Sequence, residues 1–334
     1  MKFRLGGKWA LVRVGVILAA GAVAVSCMTV MPGKSFRGGN PPATPAETAL
    51  AAELRRDVDK LAVAIGPRTV AFPGKMRETT DYIAGELERC GYKVERQAYP
   101  CNGVQAENLV AELRGTRTPE EIVVAGAHYD SSNALCPSAN DNGSGVAAVL
   151  ALARRFAGKP QGKTLRFVAF ANEEPDHFRS ETMGSRVYAK SCRAKNETIT
   201  AMLSLETMGC FYDAPGSQKY PGPIAWLYPS TGNFIAFVGN CGSRGLVRRC
   251  VRTFRANAGV ASEGAALPGT LPGVGWSDHE SFWLNGYHAL MVTDTAPFRY
   301  PYYHTPQDTP DKMDFVRFAR VTAALEPVLR NLAE

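Results

Sequence analysis

The sequence predicts an α/β fold, a mostly parallel mixed sheet covered by helices on both faces. Three observations carry this. Continuous apolar runs at Glu121–Asp130, Thr164–Ala171 and Ile199–Gly209 are of the type buried on both sides of a parallel sheet. Segments with apolar residues at helical spacing alternate with these runs. The chain has 334 residues, 45% of them apolar, enough for one large core.

The elements follow in order. Lys2, Arg4, Lys8 and Arg13 precede the apolar run Val14–Cys27, the pattern of a secretory leader. The small residues before Cys27 resemble a bacterial lipoprotein cleavage site, with Ala24 where a leucine is usual, so residues 1–27 read as a lipoprotein-type signal and Cys27 as the lipid-bearing residue. Plain secretion and an uncleaved anchor are the alternatives, since Val14–Met31 is uncharged and long enough to span. All three place the body outside the cytoplasm, in the periplasm or cell envelope, with membrane contact only through this N-terminus. Residues 28–43 are rich in Pro and Gly and read as a tether; residues 44–334 read as one domain.

Thr44, Pro45 and Glu47 form a capping box ahead of a helix running to Gly66. A second helix spans Lys75–Cys90 and stops at Gly91. Tyr92–Tyr99 and Glu107–Gly115 alternate as strands. After the Glu121–Asp130 run come a helix over Ser144–Gly158, the strand Thr164–Ala171, a helix near Ser185–Cys192 and the strand Ile199–Gly209. A helix over Arg244–Ala256, a strand at His288–Asp294 and an amphipathic helix from about Lys312 to Leu332 complete the chain.

In such sheets ligands gather at the carboxyl ends of the strands. The first buried run ends in His128 and Asp130, and Asp141 follows in the next loop. The second ends in Glu173 and Glu174, and the third in Glu206; His304 stands in a late loop. Each residue alone has an ordinary structural explanation, as a helix cap, a solvated turn or an ion pair. Together, imidazoles and carboxylates at every buried strand end are the ligand types of zinc and its neighbours. An H-x-D pair places Asp130 on the same strand face as His128, where it can hold the second ring nitrogen. In the doublet, one glutamate can bind metal while the other handles a proton.

The segments GAHYDS, NDNGSG, RFVAFANEE, LSLETMG, SDHESFW and YYHTPQDTPDK, in this order, resemble the secreted dizinc aminopeptidases, a superfamily that includes glutamate carboxypeptidase II and the glutaminyl cyclases. The resemblance covers about residues 44–332 and implies the zinc-dependent exopeptidase, phosphorylase/hydrolase-like fold. It implies two zinc ions per chain. His128, Asp141 and Glu206 would hold one; Asp141, Glu174 and His304 would hold the other, with Asp141 bridging. Glu173 would be the general base, later the acid, in hydrolysis of an N-terminal peptide bond by metal-activated water. Asp130 would orient His128, and a cis peptide would follow Asp141. Asp278, His279, Trp276 and Tyr303 would support or line the substrate site.

Three positions depart from the family pattern. Glu206 stands where Asp is frequent, the stretch after Glu174 containing His177 and Glu181 is longer, and Val274 occupies the place of a tyrosine that steadies the oxyanion. A glutaminyl cyclase on the same fold and a non-catalytic binding lipoprotein are the rival readings. Tyr303, where cyclases tend to carry Trp, and the filled ligand positions favour the peptidase, and a peptide is the expected substrate. Without the leader's four basic residues the balance is 34 basic to 31 acidic residues, and no basic run is interleaved with aromatics, so nucleic acid is not an expected partner. The eight cysteines contain no C-x-x-C pair, which excludes the usual cysteine zinc sites; pairing and oligomeric state stay open.

Overall fold

The computed structural model describes residues 6–334. Lys2 and Arg4, expected to open the leader, lie outside the described residues. Helix α1 (Gly6–Thr29) contains a window, Val12–Thr29, of mean hydropathy 1.9, none of it buried. It is long and apolar enough to cross a membrane.

Helix α2 (Pro45–Val58) starts at the expected box: Glu47 N–H donates to Thr44 Oγ1 and Thr44 N–H to a Glu47 carboxylate oxygen. A wider helical turn carries it through Ile65. Helix α3 (Pro73–Arg89) leads into the hairpin of β1 (Val94–Cys101) and β2 (Val104–Leu113). Then follow β3 (Thr118–His128), α4 (Gly145–Phe156), β4 (Lys163–Phe170), α5 (Gly184–Ala194), β5 (Thr198–Glu206), β6 (Phe234–Asn240), α6 (Arg244–Asn257), β7 (Ala261–Leu267), α7 (His279–Leu284), β8 (Ala289–Thr293) and α8 (Phe315–Ala333). The strands form one sheet in the order β1-β2-β4-β3-β5-β8-β6-β7. Pairs β3/β4, β3/β5, β5/β8 and β6/β7 are parallel, so the expected mixed sheet is present.

Alternation along β3 shows why both faces are covered. Val123, Ala125 and Ala127 join the larger core with α2, α3, α4, α6 and α8, whereas Ile122 and Val124 join Tyr188, Cys192 and Phe282 of α5 and α7. Each fully buried large apolar side chain contributes about 2 kcal/mol.

Three elements differ from the sequence expectation. Strands β6 and β7 and the short helix α7 arise where no regular structure was expected. In β7, "ASEGAAL" lacks β-branched residues; Gly264 is required because Met31 and Val251 pack where its Cβ would stand, at 2.7 and 2.9 Å. The segment 28–43 does not extend as a free tether. Met31 is buried, Arg255 of α6 donates to the carbonyls of Met31, Pro32 and Gly33, and Arg320 of α8 to Pro41. Bonds to backbone carbonyls leave no trace in hydrophobic patterning. All eight cysteines are unpaired thiols.

Candidate metal centre

The residues expected at the strand ends converge. Nε2 of His128 lies 3.3 Å from Glu206 Oε2 and 3.4 Å from Asp141 Oδ1. Nε2 of His304 lies 3.0 Å from the other Asp141 oxygen and 3.0 Å from Glu174 Oε2. Asp141 therefore turns one oxygen to each histidine. Glu173 Oε2 stands 3.8 Å from His128 Nε2, within the cluster but outside both pairs.

Surrounding groups fix this arrangement. Asp130 Oδ1 is 3.4 Å from His128 Nδ1, and its two oxygens accept the backbone N–H groups of Glu173 and Glu174 at 3.0 and 3.1 Å. One carboxylate thus orients the imidazole and pins the doublet. Asp308 does the same for the bridging position, accepting from the N–H groups of Asn140 and Asp141 and from the Tyr300 hydroxyl. Ser277 donates to Glu206 at 2.7 Å. The Asp141–Asn142 peptide is cis, as the resemblance implied. Behind it Gly145 is obligatory, since a Cβ there would stand 2.2 Å from the Leu205 carbonyl oxygen.

The electrostatics call for a cation. Asp130, Asp141, Glu173, Glu174, Glu206 and Asp278 are all buried, six carboxylates against His128, His304 and the buried Arg68, which lies near Asp130 and Glu174. Burial pushes Glu174 up to about 8, with the Asp141 charge adding to it. Burial also raises Glu173 well above the usual carboxylate range, against His128 and together with Glu206 and Glu174. Burial would lower His304, but Asp141 and Glu174 outweigh it and hold the imidazole at about 10. Such a cluster is costly without positive charge. Although His304 Nε2 and Asp141 Oδ2 lie 3.0 Å apart, both are left without a hydrogen bond. Their orientation suits a shared ion better than each other. One ligand atom each from His128, Asp141 and Glu174 falls within 4.8 Å of the others. Tetrahedral donors about 2.0–2.1 Å from a metal are separated by roughly 3.3–3.4 Å, close to the His128 contacts. The donor set therefore fits a nitrogen- and oxygen-liganded divalent cation.

The expected substrate-side residues divide. Trp276 and Tyr303 line a cavity that opens onto Glu206; Trp276 stacks on Phe298, and Tyr303 stacks on His304 with centroids 3.8 Å apart. Asp278 and His279 are fully buried and do not line it. His279 Nε2 is bonded to the Val274 carbonyl and its ring packs on Trp283; burial pushes it down to about 4. It shapes the loop instead of facing a substrate. His177 is buried against Thr182 and Cys101, and Glu181 is exposed beside Lys190. Sequence reasoning missed Asp308 and Arg68. Fully buried Arg68 donates to the carbonyls of Tyr129, Leu61, Gly66, Pro137 and Ser138, stapling the loop after β3 in place. Nothing in the residues around Arg68 signals this. Asp308, four residues after His304, carried a signal through its proximity to a candidate ligand.

Comparison with known proteins bears on the fold and the family. Among solved structures, the chain superposes on the Fimbriiglobus ruber glutaminyl cyclase with a TM-score of 0.63 at 20% identity, covering 88% of this chain and 99% of that one. The zinc aminopeptidase BSAP from Bacillus subtilis gives 0.66 at 14% identity, covering 84% and 94%. At these identities the likeness concerns the fold. The Uncharacterized protein YfbL of Escherichia coli (strain K12) is 34% identical over 298 residues, 87% of this chain and 90% of its own. The model of peptidase family M28 matches residues 108–328, which contain every converging side chain described above, and the chain belongs to that family.

Proposed function

We propose that the protein is a zinc-dependent aminopeptidase with two zinc ions. One observation carries this reading: two donor pairs, His128–Glu206 and His304–Glu174, share Asp141 between them, while Glu173 stays beside them without belonging to either. His128, Asp141 and Glu206 would hold one ion, and Asp141, Glu174 and His304 the other. Bound zinc would polarise the scissile carbonyl and make water acidic enough to react near neutral pH.

The chain's own groups supply the rest. Glu173 accepts a proton from the attacking water and delivers it to the leaving amine. Asp130 holds both the His128 ring and the backbone of the doublet, so the base and the ligands move as one unit. Free carboxylate in the cluster attracts the substrate's α-ammonium group. Trp276 and Tyr303 line the adjoining cavity and would limit the side chains it accepts.

The unburied apolar helix α1 and exposed Cys27 support export and attachment at the cell envelope, with residues 1–27 as leader, Cys27 as the lipid-bearing residue and 44–334 as the catalytic domain. The full chain in detergent, incubated with peptides of defined N-terminus, tests the activity. Release of the first amino acid supports the reading. Conversion of N-terminal Gln to pyroglutamate without release of an amino acid would assign the cyclase reaction instead.

A further inference from the structure

The sheet face that carries Glu206 continues across β8, β6 and β7 as the floor of a cavity of about 100 Å³ that opens to solvent. The strand register defines this floor. Glu206 pairs with Thr293, Thr293 with Ala236, and Ala236 with Glu263. Laterally paired residues share a face, and neighbouring strands lie about 4.8 Å apart, so the backbones of Glu206 and Glu263 stand roughly 14 Å apart. Carboxylates therefore mark both ends of an uncharged row. Aromatic pairs form the walls, Tyr220 on Tyr228 at 5.8 Å and Trp276 on Phe298 at 6.2 Å.

Among the described residues, the far carboxylate is held only by a long ion pair to Arg255. The Glu263 carboxylate accepts no hydrogen bond among the described residues, and the side chain is 23% exposed. The nearest cation, Arg255, is 3.7 Å away, beyond hydrogen-bonding distance. Arg255 directs its donors elsewhere, to Ser262 and to the carbonyls of Met31, Pro32 and Gly33. Burial raises Glu263 above the usual carboxylate range, against the opposing influence of Arg255 and Arg37. A cation bringing its own N–H donors would satisfy it.

We infer that this cavity receives the side chain of the substrate's N-terminal residue and that Glu263 selects arginine or lysine there. The inference rests on the aminopeptidase reading. Basic side chains have an apolar stem and a charged tip, matching an apolar floor that ends in a carboxylate. Tyrosine faces add cation–π attraction along the way. Leucine or methionine would fill the near part and leave Glu263 with only its long contact to Arg255. Glutamate would meet a like charge.

The test compares peptides beginning with arginine, citrulline, lysine or norleucine, identical beyond the first residue, on the zinc-loaded full chain in detergent. Citrulline keeps arginine's length and removes its charge; norleucine keeps lysine's carbon chain and lacks its ammonium group. The expected result is a kcat/KM about tenfold or more higher for each charged member of a pair. Glu263→Gln should collapse that ratio and Glu263→Asp should retain part of it, each variant being checked for an unchanged melting temperature. Equal rates within each pair, or a ratio that survives Glu263→Gln, would overturn the inference. Binding of the same peptides to zinc-loaded Glu173→Gln, measured by calorimetry, gives a readout independent of turnover. Charge-selective binding without hydrolysis of any peptide by the unaltered protein would sink the aminopeptidase reading and leave the pocket assignment standing. Hydrolysis without charge selectivity would do the reverse.

Discussion

On one side of the sheet, strands β3, β4 and β5 lead into His128, Asp130, Glu173, Glu174 and Glu206, all buried and held by one another and by backbone N–H groups. On the other side, β6, β7 and β8 present small and apolar residues to a cavity walled by loops. Thr293 of β8 pairs with Glu206 and joins the two regions. The contrast shows how one sheet separates reaction from selection. The proposed metal-holding groups cluster at the carboxyl ends of β3, β4 and β5 and in the loops beside them, whereas the groups proposed to meet a variable side chain sit near the sheet edge and on loops, where change disturbs less.

This division makes predictions of decreasing size. Glu173→Gln removes the base but no ligand, so kcat should fall about 10²–10⁴-fold with zinc content unchanged, as read by steady-state kinetics and elemental analysis. Loss of zinc from this variant would make Glu173 a ligand and break the proposed separation of roles. Asp308→Asn weakens the grip on the N–H groups of Asn140 and Asp141; about 10–100-fold weaker zinc retention is expected in a competition titration with a chelator. Trp276→Ala alters only the cavity wall. It should change KM for bulky N-terminal residues by about fivefold and leave zinc affinity alone, whereas reduced zinc affinity would show that the two regions are not independent. Glu181→Gln lies in the long stretch after Glu174 but is exposed and paired only with Lys190, so neither parameter should move measurably.

The same contrast governs what the sequence reveals. The converging residues at the strand ends stand out because a His or Glu closing a long apolar run contradicts its surroundings. The cavity half gives no such contradiction. In β7, Glu263 alternates with small residues and reads as a loop; its importance emerges only when register sets it in line with Glu206. For His279 the sequence left support and substrate wall open, and the structure favours support. It lies in a motif near the site, but the chain turns its ring inward onto Trp283, a direction that spacing does not encode. The Pro- and Gly-rich segment 28–43 likewise docks through carbonyls that Arg255 and Arg320 find, interactions independent of side-chain pattern.

The central claim is a pair of zinc ions sharing Asp141. Anomalous diffraction at the zinc edge from crystals of the zinc-loaded protein tests it most directly. The account predicts two peaks about 3.5–4 Å apart, one beside His128 and Glu206 and one beside His304 and Glu174, with Asp141 between them. A single peak, or peaks away from Asp141, would contradict it.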